Sequence, residues 1–220
     1  MIDIGVNLTN ARFDKDRSEV LARAKQVDIA AILVTGTNIA ESKKAILQCR
    51  QYPDYLYSTA GIHPHDADQA DENYLEELYQ LAQNNCNFST AENQKRVFKG
   101  QVALAKQLNL PLFLHQRDAF QPWFEILAPN IDSIPALVSH CFTGSENELL
   151  QCLEAGMYIG ITGWVCDERR GQALRDIVPL IPLERLMIET DAPYLTPRTN
   201  LRVAEMNRAT YLILSAYWPS

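Results

Sequence analysis

All four histidines of the chain stand in three short segments, GIHPHD, LHQRD and SHCFTG, and each segment directly follows or closes an apolar run. Neutral imidazoles and a carboxylate bind a divalent cation well, and the His63-x-His65 spacing, stiffened by Pro64, can present two nitrogens to one side of a site. Any one of these histidines is more simply a hydrogen-bonded residue at a strand end. Four out of four at such ends, His63, His65, His115 and His140, point instead to a metal site. The segment MIETDAPY adds Asp191, a ligand or a general base acting on water held by the metal. Glu189 in the same segment is equally well read as catalytic or as an inward-pointing residue that fixes its neighbours. Asp3, alone in the first apolar run, is a functional carboxylate or a paired strand residue with equal weight.

Around these lie groups suited to a phosphodiester substrate. Arg117 and Asp118, just past His115, fit a substrate phosphate and a supporting contact to a ligand, or form an ordinary ion pair. The stretch GITGWVCDERRG carries Trp164, Arg169 and Arg170, an aromatic face beside two guanidiniums that suits a splayed nucleotide or a short single strand. A tryptophan in such a run is also commonly core. No P-loop, dinucleotide glycine fingerprint or nucleophile elbow is present.

The elements that must hold these residues alternate. Strand candidates are 2–6, 30–35, 56–60, 110–114, 136–139, 157–161 and 186–188, short and bounded by turn residues. Helical patterns occupy 14–27, 41–51, 74–83, 90–108 and 145–155; Ser89 to Glu92 reads as a capping box and Gly156 as a helix stop. Repeated strand–helix units with near-continuous apolar strands predict a parallel sheet covered by helices. His63, His115, His140 and Asp191 each fall past the C-terminal end of a different strand. That distribution favours a (β/α)8 barrel over an open doubly wound sheet, which gathers its site at one switch point.

The 220 residues, 47% apolar, suffice for one domain with a sizeable core. A net charge of −7 argues against coating nucleic acid through a basic face, while leaving room for an acidic enzyme that handles a polyanion through metal. Five cysteines without CxxC spacing read as free thiols of a reducing cytoplasm. The N-terminal run lacks a basic start and no uncharged apolar window reaches about eighteen residues, so neither a signal peptide nor a membrane span is expected.

The motifs DIGVNLTNARF, VTGTNIAES, STAGIHPHD, LPLFLHQRDA, SHCFTGS, YIGITGWVCDERRG and LMIETDAPYLTPR together resemble the TatD family of metal-dependent deoxyribonucleases over almost all of residues 1–200. The resemblance implies a TIM barrel of the amidohydrolase type. It implies an enzyme that uses Mg²⁺, or Mn²⁺ or Zn²⁺, to cleave single-stranded DNA or RNA as a 3′ to 5′ exonuclease, here expected as a cytoplasmic monomer. Carried over, its ligands fall on His63, His115, His140 and Asp191 with His65 near the site. Many relatives have a His-x-His pair on the first strand where this chain has Gly5 and Asn7, a departure the TatD subgroup shares.

Two further departures bear on the fold. The family carries a strand Val-Val-Ala-Ile-Gly-Glu followed by Cys-Gly-Leu-Asp, whose glutamate bridges metals, where LAQNNCNFST stands here at residues 81–90. Roughly a dozen residues are absent, a strand and its turn at ordinary lengths. The barrel is therefore expected to be incomplete near residues 84–87, and an impaired descendant with partial metal binding is the alternative function. The second departure divides the chain into a hydrolase barrel at 1–200 and an aberrant tail at 201–220. DNA encoding the family's Arg-Arg-Asn-Glu-Pro-Arg-Tyr-Leu-Pro-His-Ile, read one base later, can give the AEMNRATYLI of residues 204–213. The tail is accordingly read as out of frame, with the last barrel helices lost; the gene sequence tests that reading.

Overall fold

Seven short parallel strands carry the molecule. A computed structural model of the chain describes residues 2–67, 74–75, 91–167 and 169–193. The strands are β1 (Ile2–Val6), β2 (Ala31–Val34), β3 (Leu56–Ser58), β4 (Leu112–Leu114), β5 (Leu137–Ser139), β6 (Tyr158–Ile161) and β7 (Leu186–Ile188). They pair in sequence order, β1-β2-β3 in one sheet and β4-β5-β6-β7 in the other, all in parallel. β7 joins β1 beyond the regular ladders. The Asp191 N–H donates to the Gly5 carbonyl and the Asn7 N–H to the Ala192 carbonyl, both at 2.7 Å, with an isolated bridge between Val6 and Ala192. The array thus runs β3-β2-β1-β7-β6-β5-β4. Among the described residues β3 and β4 are not paired with each other.

The helices α1 (Arg17–Gln26), α2 (Ile39–Gln51), α3 (Ala91–Leu108), α4 (Phe120–Leu127), α5 (Glu146–Glu154) and α6 (Gln172–Ile177) alternate with the strands. α1 buries Val20, Leu21 and Ala24, the helical spacing that defines one apolar face. α2 begins where the Asn38 side chain accepts the Glu41 N–H at 2.8 Å, two residues earlier than its apolar pattern suggests. α5 is closed at its start by a reciprocal box between Ser145 and Glu148 and followed by Gly156 at φ 73°, a left-handed residue that suits a helix stop. One core packs Leu114, Trp123, Leu149, Met157 and Ile159 between α4, α5 and the β4–β7 sheet. A second packs Leu8, Leu21, Val34 and Leu56 under α1 and α2.

The parallel α/β architecture expected from the sequence is present, with strands shorter than their apolar runs. β4 begins at Leu112 rather than residue 110 because the Leu110 N–H closes α3 on the Ala105 carbonyl at 2.9 Å and Pro111 has no N–H to give a ladder. β3 ends at Ser58, although the Thr59 N–H still reaches the Val34 carbonyl at 2.9 Å. Among the described residues no strand joins β3 to β4, which leaves a gap on that side. α3 spans it, with the Gln101 side-chain oxygen accepting the Ile62 N–H at 2.7 Å and Val97 buried in a small cluster with Ile62 and Tyr74. The LAQNNCNFST segment, its capping box, most of the 74–83 helix and the 201–220 tail lie outside the described residues.

Candidate metal centre

The loops after four strands converge on one cleft of about 1640 Å³, which is lined by His63, His65, His115, His140 and Asp191. His115 and His140 are the first residues beyond β4 and β5, and the His140 N–H donates to the Leu114 carbonyl at 2.8 Å, so ladder bonds set both side chains at the strand mouth. Ring centroids lie 4.6 Å apart for His63 and His115 and 5.7 Å apart for His115 and His140. His63 and His65 meet edge to face at 4.6 Å, with His65 exposed on the rim. Asp191 arrives from the far end of the β7–β1 seam, where Asn7 Nδ2 donates to its Oδ1 at 3.0 Å. Donor atoms of His140, Cys141 and Asp191 all lie within 4.8 Å of one another.

Glu189 is fully buried beneath this cluster. Its Oε2 accepts from His140 Nδ1 and its Oε1 from the Cys141 N–H, both at 2.5 Å. Of the two readings of Glu189, geometry favours positioning: a carboxylate that accepts at Nδ1 leaves the Nε2 lone pair of His140 for a metal. Two glycines make room for it. A Cβ on Gly5 would stand 2.5 Å from Glu189 Oε2, and one on Gly160 would stand 2.6 Å from Oε1. Asp3 proves to be a paired strand residue, accepting from the Thr190 N–H at 3.0 Å and the Thr190 hydroxyl at 2.8 Å, and so pins β1 to β7.

The charge states suit a cation. Burial, then the neighbouring His65 and His140, holds His63 down to about 4, and burial with His63 and His140 holds His115 well below the ordinary imidazole value. Both are neutral at pH 7, and among the described residues His115 Nδ1 is buried with no hydrogen-bond partner. Burial lowers His140, but Glu189 outweighs it and leaves the pKa raised. Asp191 is pushed up to about 6, chiefly by burial, with Glu189 adding to the rise and His140 and Asn7 opposing it. Unprotonated imidazoles, an orphaned buried nitrogen and a carboxylate short of positive charge form a nitrogen and oxygen donor set that fits a divalent metal. Cys141 and Asp191 both hold left-handed backbone, at φ 49° and 53°, a strain that clusters at functional sites.

On the substrate side, the exposed Arg117 guanidinium lies over the Trp164 ring at 5.2 Å and Arg170 over the same ring at 4.3 Å. Arg117 makes no ion pair with Asp118 among the described residues, which removes the plainer reading of that pair. Trp164 is half-buried, packs partly on the core and also lines the cleft. Arg170 is tied to Asp167 at 2.8 Å, and the Arg169 backbone N–H also serves Asp167. Neither Arg169 nor Arg170 lines the cleft; Arg170 reaches its edge through Trp164. Sequence reasoning missed Asn7, Cys141 and Asp167. Asn7 sits on the first strand's C-terminal end and Cys141 beside a ligand candidate, positions that strand-end logic extends to.

A strand-end cluster of imidazoles and a carboxylate on a parallel α/β array defines a metal-dependent hydrolase of the TIM-barrel amidohydrolase type. The model of the family described as TatD related DNase matches residues 2–214, and the chain belongs to that family. A Pectobacterium carotovorum protein named 3'-5' ssDNA/RNA exonuclease TatD is 50% identical over 211 aligned residues, covering 90% of this chain and 81% of the relative. Ninety per cent of 220 residues is about 198, so about 13 of those 211 positions face a gap in this chain. A Salmonella typhimurium protein of the same name is 46% identical over 227 residues, 96% of this chain and 87% of that one. Among solved structures, a TatD family hydrolase from Entamoeba histolytica matches with TM-score 0.77 and 29% identity over 90% of this chain and 76% of that one. A TatD homologue from Escherichia coli shares the fold with TM-score 0.82 at 24% identity, over 99% and 90% of the two chains.

Proposed function

We propose that this chain is a metal-dependent nuclease that removes nucleotides from the 3′ end of single-stranded DNA or RNA, with His63, His115, His140 and Asp191 holding the metal and His65 at its rim. The observation that carries the reading is the convergence of these four residues from four strand ends on one cleft. The substrate and polarity are supported by the names of relatives about half identical to the chain. Mg²⁺ is the working ion that the family resemblance implies, while the imidazole donors themselves suit Zn²⁺ and other borderline ions and the carboxylate suits Mg²⁺ and Mn²⁺. When bound, the ion would supply Lewis-acid polarisation of a phosphodiester oxygen and acidify the attacking water.

The chain's own groups perform the remaining work. Asp191, poised at about 6, is ionised at neutral pH and suited to take a proton from the attacking water. Glu189 fixes the His140 tautomer through the bond at Nδ1. Arg117 offers the phosphate a guanidinium, and Trp164, topped by Arg170, offers the terminal base a stacking face. Free Cys49, Cys141, Cys152 and Cys166 accord with a cytoplasmic enzyme, working as a monomer. No described helix is long and apolar enough to cross a membrane.

A second reading, a catalytically weakened descendant, is favoured by β3 and β4 edges that are unpaired among the described residues and by the aligned gap. Such a chain would keep the metal ligands and lose rate. Single strands labelled at either end, incubated with Mg²⁺, Mn²⁺ or chelator, test the principal reading. It expects stepwise loss of the 3′ label first, and loss of the 5′ label first contradicts it.

A further inference from the structure

The thiol of Cys141 faces the same cleft as the imidazoles. We propose that Cys141 is a selectivity-determining ligand, which binds thiophilic divalent metals such as Zn²⁺, Co²⁺ or Cd²⁺ together with His140 and Asp191 while standing idle toward Mg²⁺. The inference rests on the reading of this cleft as a metal centre and goes beyond it, because it gives the site a sulfur donor.

Three observations support it. Donor atoms of Cys141, His140 and Asp191 fall within 4.8 Å of one another, and metal bonds of about 2.0 to 2.3 Å require a closing-up of roughly 1 Å, which side-chain rotation supplies. The placement of the thiol is built rather than accidental. The Cys141 backbone N–H is held by Glu189 Oε1, its φ is 49°, and its Sγ lies 3.6 Å from the buried Thr162 Oγ1. Beside the trio, the buried His115 Nδ1 has no hydrogen-bond partner among the described residues, and its ring centroid lies 5.7 Å from that of His140. Thiolate with imidazole and carboxylate is the donor set that zinc and cobalt accept in four-coordinate sites, whereas Mg²⁺ takes oxygen. Binding forms an S–metal bond and breaks the S–H bond, whose proton passes to solvent; no electron is transferred.

Cobalt titration of the metal-free protein tests the proposal by absorption. It expects visible ligand-field bands together with a near-ultraviolet sulfur-to-cobalt charge-transfer band, and Cys141→Ser, checked for folding by thermal melting, should lose only the latter. The same variant should bind Zn²⁺ at least about 10-fold more weakly, the lower bound for losing even an outer contact of a metal site, with Mg²⁺ affinity unchanged. Visible bands without the charge-transfer band in the parent protein would overturn the thiolate ligand while leaving the metal centre standing. No cobalt binding at all would overturn both. Should Cys141→Ser fail to fold, a chain with Cys49, Cys86, Cys152 and Cys166 replaced by serine must keep the charge-transfer band, and its loss refutes the assignment.

Discussion

Replacing Glu189 by glutamine probes how the site is held. The native carboxylate is fully buried and accepts two N–H groups, His140 Nδ1 and the Cys141 backbone, at 2.5 Å each. Glutamine keeps the volume but offers one oxygen. If that oxygen stays on the Cys141 N–H, the amide NH₂ faces Nδ1 and forces the proton of His140 onto Nε2, which removes the lone pair a metal needs. If the amide turns, its NH₂ opposes the Cys141 N–H instead. The first arrangement keeps both hydrogen bonds but takes the lone pair a metal needs, and the second leaves the Cys141 N–H without an acceptor. Breaking a buried pair from one side costs about 3–5 kcal/mol, and the retained volume and remaining bond place Glu189→Gln near 3. For a domain of this size that is a fall of about 6–12 °C in melting temperature. Metal affinity should drop about 10- to 100-fold, the effect of removing a partner that orients a ligand histidine. Mn²⁺ calorimetry and thermal unfolding with and without Mn²⁺ read both quantities. Gly5→Ala should act in the same direction, because its Cβ would stand 2.5 Å from Glu189 Oε2. A Glu189→Gln protein that melts like the parent and binds Mn²⁺ equally well would refute the positioning argument.

In metal-free protein, the stability that His63 contributes, read as the difference between parent and His63→Gln, should be lost as pH falls from 6.5 to 4. The folded value of His63, about 4, lies below its ordinary 6.5, so its contribution, at most about 3 kcal/mol, is complete above 6.5 and gone below 4; urea melts across that range measure it. Asp191, raised to about 6, has the opposite sign, stabilising the metal-free fold at low pH. Mn²⁺ affinity should accordingly weaken below pH 6 as Asp191 takes up its proton, which calorimetry at stepped pH would detect. Trp164→Ala should raise KM for a single strand about 10-fold with kcat little changed, since base stacking contributes about 1–3 kcal/mol; steady-state kinetics that show only a kcat loss would contradict a stacking role. Inserting the family's Val-Val-Ala-Ile-Gly-Glu strand and its turn between β3 and α3, with an in-frame tail, should raise the Mg²⁺-dependent rate at least about 10-fold. Equal rates would dismiss the gap as a cause of impairment.

Strand order and the strand-end placement of the histidines were legible because short β-branched runs and their turn residues carry a local signal. Strand lengths were not, since pairing stops where a proline or a neighbouring helix takes the N–H groups, as at Leu110 and Pro111. α4 escaped notice. Phe120–Leu127 buries Phe120, Trp123 and Leu127 at helical spacing, but it spans only about two turns, too short a window for the period to stand out from an apolar strand. The dual use of Glu189 could not be read from MIETD alone. Its role depends on Gly5, His140 and Gly160 meeting it across three other strands, a fact of tertiary contact. The same holds for Asn7, which finds Asp191 from 184 residues away.

The central claim is that Asp191 and the three clustered histidines form a working nuclease centre. Release of mononucleotides from a single-stranded oligonucleotide in Mg²⁺, by parent protein and Asp191→Asn purified side by side, tests it most directly. Release should be abolished by a chelator and should fall at least about 100-fold in the variant, the lower end of what a positioned base supplies, with the Asn7 contact and the fold retained. Release at parental rate by Asp191→Asn, or release untouched by the chelator, would contradict it.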